Sequence, residues 1–151
     1  MELGDLTKPE HVFVDLTGTD RPTVLRGMAD RLAASAGFED SDALYQSLWE
    51  REELGSTAIG SGVAVPHCKM KNLDEVVMAV GVSRRDIDFA SEDGEPVRLL
   101  FLVVSPESKP ADHLRSLAAI SKWVKNESNV GQLLESRDAD EIYRLLSSTG
   151  D

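Results

Sequence analysis

Cysteine is nearly missing from this sequence: Cys68 is the only one in 151 residues. An internal disulfide is therefore excluded, and a reducing compartment suits the chain. Basic side chains are also in short supply, with 16 Lys and Arg against 27 Asp and Glu and a formal net charge of −11. Nucleic acid and anionic membrane surfaces are bound through basic faces, so neither is expected as the main partner. A basic protein surface is compatible with this charge, although most acidic side chains serve only as solvated surface. No apolar stretch approaches membrane-spanning length. The N-terminus, Met1-Glu2-Leu3-Gly4-Asp5, lacks the basic start and apolar run of a signal peptide. The chain is expected to be cytoplasmic, without membrane insertion. His11, His67, Cys68 and His113 fit no compact zinc spacing, so no metal is expected.

Hydrophobic residues make up 41% of the chain, enough for one compact domain with its own core. No linker, repeat or low-complexity tract divides it. A single domain is expected over residues 11–148, with tails at 1–10 and 149–151. His11 to Leu16 reads as a short strand. Asp20 offers an N-cap with Pro22 just inside a helix, whose apolar positions are Leu25, Met28, Ala29 and Leu32 and whose stop is Gly37. A second helix from about Asp40 carries Leu44, Tyr45, Leu48 and Trp49 on one face and ends before Gly55. Val76–Val82 and Val97–Val104 are apolar runs of strand length, and Leu99–Val104 has the pattern of a strand buried on both faces. Leu114, Leu117, Ala118, Ser121 and Val124 suggest the core stripe of a helix over Ala111–Lys125. Asp138 with Glu141 resembles a capping box opening a last helix. Helices flanking a strand-rich centre point to an α/β three-layer sandwich.

Chemistry concentrates in Arg51 to Cys68. Gly60-Ser61-Gly62 lacks the third glycine of a dinucleotide loop, and the segment lacks the Gly-Lys-Ser/Thr ending of a phosphate loop, so no cofactor is expected. Val63-Ala64-Val65 reads as a strand that stops at Pro66, which fixes φ and removes a ladder donor. His67 then sits at a sheet end, exposed yet held by a rigid neighbour. A neutral imidazole is nucleophilic near pH 7 and can carry a covalent intermediate. On these residues alone, an ordinary surface or structural histidine stands beside a nucleophile. Cys68 is expected to point to the opposite face.

The segment resembles the type-2 EIIA domains of the bacterial phosphoenolpyruvate-dependent phosphotransferase system. Their signature is met by Glu52, Ile59-Gly60 and Val63-Ala64-Val65-Pro66-His67-Cys68. Asp93–Val97, Leu100–Pro106 and Asp112–Leu117 resemble later segments of the family. The resemblance implies a mixed, mostly parallel sheet of about five strands between helical layers. It also implies a phosphoryl group accepted at Nε2 of His67 from an HPr-type carrier, with His113 and Arg51 stabilising the phosphate. Onward, it implies either a IIB domain during fructose- or mannitol-type uptake or a regulated target protein in nitrogen signalling, with a IIA-like regulatory binding module without onward transfer as a further alternative. The lack of a IIB-like cysteine loop favours the regulatory type. Lys69 and Lys71 make the neighbourhood of His67 locally basic.

Overall fold

The computed structural model describes residues 2–148. Along the chain run two 3-10 turns (Leu3–Leu6 and Pro9–His11), β1 (Val12–Phe13), α1 (Arg21–Ala36) and α2 (Ser41–Glu53). Then come β2 (Ala58–Gly60), β3 (Val63–Ala64), β4 (His67–Met70), β5 (Val77–Ile87) and β6 (Val97–Pro106). The chain closes with α3 (Pro110–Val124), α4 (Glu127–Glu135) and α5 (Ala139–Ser147).

Every residue of β6 except Arg98 is buried, as expected of a strand covered on both faces. It pairs antiparallel with β5 along one side and in parallel with β3 and then β4 along the other. β1 adds in parallel beyond β5, and β2 closes the far edge as a hairpin with β3. The sheet is thus mixed and six-stranded. Side chains alternate across it. Leu100, Leu102 and Val104 meet Leu25, Met28, Leu32, Leu44 and Leu48 of α1 and α2. Leu99, Phe101 and Val103 meet Ile120, Trp123, Leu133, Ile142 and Leu146 of α3, α4 and α5. Three layers follow, and each such buried side chain contributes roughly 1.5–3 kcal/mol of apolar burial.

The helix signals act as expected in α1: Asp20 accepts from the Thr23 amide at 2.8 Å, and Gly37 ends the helix at φ +78°. Other expectations are corrected. Residues 2–10 are not a loose tail. Leu3 is buried, and a Cβ on Gly4 would collide with Ser147 of α5. His11 belongs to a 3-10 turn, and its strand shortens to Val12–Phe13. α5 has its Asp138 cap, accepting from the Asp140 amide, without the expected box to Glu141. Residues 149–151 lie outside the described residues.

The helix expected over Ala111–Lys125 forms, but turned from the expected face. Its buried residues are His113, Ser116, Ile120 and Trp123, whereas Leu114 is 66% exposed. Two stripes one residue apart share helical spacing, and the one carrying Ile120 and Trp123 packs on the sheet. Its polar members tolerate burial because Ser116 Oγ donates to the Asp112 carbonyl and His113 bonds Ser105.

Candidate functional site

β3 stops at Ala64, ahead of Pro66, but the sheet does not end there. Proline gives no N–H to the ladder, but the Pro66 carbonyl accepts from the Val103 amide at 2.9 Å. The chain therefore stays against β6, and β4 begins at His67 itself, in register with Val103. Alternation along β4 sends Cys68 into the core shared with α1 and α2, where burial pushes its thiol up to about 12. No reactive thiolate stands beside His67 near neutral pH.

The half-buried His67 ring donates from Nδ1 to the Val65 carbonyl at 2.7 Å. A carbonyl only accepts, so Nδ1 carries the proton and Nε2 keeps its lone pair. Burial holds the pKa of His67 below its ordinary 6.5, and the Arg51 and Lys69 charges push the same way. The Val65 bond and the Glu52 carboxylate oppose them without prevailing. The ring is neutral and nucleophilic near pH 7.

His113 arrives from α3 with its ring centroid 5.4 Å from that of His67, the planes tilted by 52°. It is buried, and its Nδ1 lies 2.6 Å from Ser105 Oγ of β6. Desolvation lowers its pKa, followed by the charges of His67 and Lys69. Arg51, in the last turn of α2, donates to the Gly55 carbonyl at 2.9 Å. Together with His67, Ser56, Thr57, Leu117 and Ser121 it lines a cavity of about 240 Å³. His67 therefore neighbours both, sharing a cavity wall with Arg51 and a ring contact with His113, which does not line that cavity. Lys69 acts on both imidazoles, whereas Lys71 lies exposed in the turn after β4.

Sequence reasoning missed the framework behind this cleft. Glu52 is 1% exposed and accepts from the Thr57 amide at 2.9 Å and from Thr57 Oγ at 2.7 Å. The Thr57 carbonyl accepts from the Val65 amide at 2.9 Å, and the Val65 carbonyl holds His67. A buried carboxylate thus anchors the peptide that orients the imidazole. The available signal was a glutamate closing a helix just before Ser56-Thr57. Also unexpected is Ile59, 46% exposed in the cavity wall. Leu54 and Leu114, 84% and 66% exposed, follow Arg51 and His113 closely in the chain.

A neutral imidazole with a free Nε2, a second imidazole within reach and a guanidinium suit covalent capture of an anionic group. The family described as "Phosphoenolpyruvate-dependent sugar phosphotransferase system, EIIA 2" matches residues 5–149, a span holding the whole cleft. This chain belongs to the type-2 EIIA family of the phosphoenolpyruvate-dependent sugar phosphotransferase system. Within it, a nitrogen regulatory protein of Bradyrhizobium diazoefficiens is 37% identical over 147 residues, covering 97% of this chain and 95% of the relative. A fructose-specific EIIA component of Haloferax volcanii is 33% identical over 117 residues, covering 77% and 76%. The crystal structure of nitrogen regulatory protein IIA-Ntr from Neisseria meningitidis superposes with a TM-score of 0.88 at 25% identity, covering 95% and 98%.

Proposed function

We propose that this chain is a phosphohistidine carrier that accepts a phosphoryl group from an HPr-type protein on His67 Nε2 and serves a regulatory branch of the system. The observation that carries the reading is the pairing of His67, its Nδ1 proton committed to the Val65 carbonyl, with His113 at 5.4 Å. Similarity to a nitrogen regulatory protein over 97% of the chain supports the regulatory branch.

In the transfer, the donor's N–P bond breaks and its electron pair returns to the donor imidazole. The lone pair of His67 Nε2 forms the new N–P bond. The proton stays on Nδ1, still donated to the Val65 carbonyl, so no proton leaves this chain. Chemistry of this kind depends on positioning and on charge stabilisation. His113 and Arg51 supply the donors that meet the phosphoryl oxygens, and Lys69 adds positive charge. The exposed Ile59 of the cavity wall would meet the carrier. Phosphorylation then adds about two negative charges at that surface, enough to change which partner it accepts.

The test is transfer from a purified, phosphorylated HPr-type carrier. His67→Ala is expected to abolish uptake. His113→Ala is expected to leave His67 as acceptor but slow it by roughly a hundredfold, the cost of losing one preorganised donor. Full uptake by His67→Ala would reject the assignment. The likeness to a fructose-specific EIIA component supports a second reading, onward transfer to a IIB domain during sugar uptake. Rapid passage of the label to a IIB domain would favour that reading over the regulatory one.

A further inference from the structure

We infer that Ser105 is a positioning residue that fixes His113 as an Nε2–H donor, so that the two histidines of the cleft are held in opposite tautomeric roles. The inference rests on the carrier reading above and extends it to a residue outside the family signature.

Counting hydrogens decides the direction of the Ser105–His113 bond. Ser105 is fully buried, and among the described residues the Nδ1 of His113 is the one hydrogen-bond partner of its Oγ, at 2.6 Å. A neutral imidazole carries one N–H, on either nitrogen. If Nδ1 held it and donated to Ser105, the serine hydroxyl proton would be buried with no acceptor, a penalty of about 1–3 kcal/mol. If Ser105 donates to Nδ1, that cost is removed and the ring proton must sit on Nε2. Burial and the charges of His67 and Lys69 lower the pKa of His113, which keeps the ring neutral and the choice of tautomer meaningful.

The contrast with His67 is built from the same kind of bond with opposite polarity. The Val65 carbonyl can only accept, which leaves a lone pair on His67 Nε2. The Ser105 hydroxyl donates, which leaves a proton on His113 Nε2. Neither Nε2 has a hydrogen-bond partner among the described residues, and neither is sealed from solvent. The cleft therefore presents one nucleophilic nitrogen and one donor nitrogen before any phosphoryl group arrives. Preorganisation of this kind spares the reaction a tautomer change.

Nitrogen-15 NMR of histidine-labelled protein at neutral pH reads both tautomers directly. His67 is expected as Nδ1–H and His113 as Nε2–H. A His113 ring protonated on Nδ1 in the unaltered chain overturns the inference without any variant. Ser105→Ala removes the donor that holds the ring and is expected to broaden or shift the His113 nitrogen signals, to leave those of His67 unchanged and to slow phosphoryl uptake about tenfold. Ser105→Thr, which keeps the hydroxyl, is expected to retain the Nε2–H ring and most of the rate. Unchanged His113 nitrogen signals and rate in Ser105→Ala, or a loss of rate in Ser105→Thr with the ring still Nε2–H, overturns it. Protein that shows both expected rings but takes up no phosphoryl group overturns the carrier reading, and with it the part assigned to Ser105 in transfer.

Discussion

Glu52 shows how far the chemistry of one residue reaches. Its carboxylate satisfies two donors of Thr57 inside the protein, with Arg21 3.5 Å away at the boundary. Glu52→Ala strands the amide and hydroxyl of Thr57, and removing a partner from a buried donor costs about 1–3 kcal/mol. Chemical denaturation is expected to show a loss of about 2–3 kcal/mol, from the two donors together. Because the Thr57–Val65 link is disturbed, the Nδ1–H signal of His67 should also broaden or shift. A fully stable variant with an unchanged imidazole spectrum would show that the framework does not depend on this carboxylate. The depressed pKa of His67 makes a second prediction. Phosphoryl uptake from a purified donor should be level above pH 6.5 and fall at more acidic pH, as protonation takes up the Nε2 lone pair. A rate that rises on acidification would contradict a neutral nucleophile.

At the scale of the element, caps are simple to test. Asp20 accepts from Thr23 at the start of α1, and Asp20→Ala should lower stability at neutral pH. Thermal or urea melts of the variant check this, and an unchanged midpoint would remove the cap from the account of stability. The caps were legible in the sequence because they are local: Asp20, Pro22 and Gly37 act through their immediate backbone. β6 was legible too, since a run such as Leu99–Val104 leaves few alternatives to burial on both faces. The face of α3 was not. Leu114–Leu117–Ser121–Val124 and His113–Ser116–Ile120–Trp123 both keep helical spacing, and only contacts with the sheet choose between them. The register of β4 was also hidden, because it depends on the Pro66 carbonyl finding Val103 of a strand still to come. His67, His113 and Arg51 were named from the resemblance. Residues alone pointed to His67 but left it undecided between structure and chemistry, and the roles of Ser105 and Glu52 needed coordinates.

The whole molecule couples its histidines to acid stability. His11, His67 and His113 all have pKa values held below 6.5, in each case chiefly by desolvation. Unfolding releases them to their ordinary value, so below pH 6.5 the unfolded chain binds more protons than the folded one. Stability is therefore expected to be level well above pH 6.5 and to decline as pH falls through it. The Asp20 contribution behaves separately: the Thr23 bonds hold its pKa below 3.8, so its contribution is complete above that value and is lost as pH falls below it. Urea midpoints from pH 8 down to about pH 5 test the histidine window, which opens at their ordinary value. Midpoints that rose on acidification would contradict it.

Transfer turns on one nitrogen, Nε2 of His67, and the nitrogen that carries the phosphoryl group can be identified. The protein would be charged with phosphoenolpyruvate, Enzyme I and the HPr-type carrier, then quenched in base, where phosphohistidine survives. Peptide mass mapping and nitrogen-15 NMR of the product locate the group. One phosphoryl group per chain, on Nε2 of His67, is the predicted result. A group on His113 or His11, attachment at Nδ1 of His67, or a chain that stays unlabelled would contradict it.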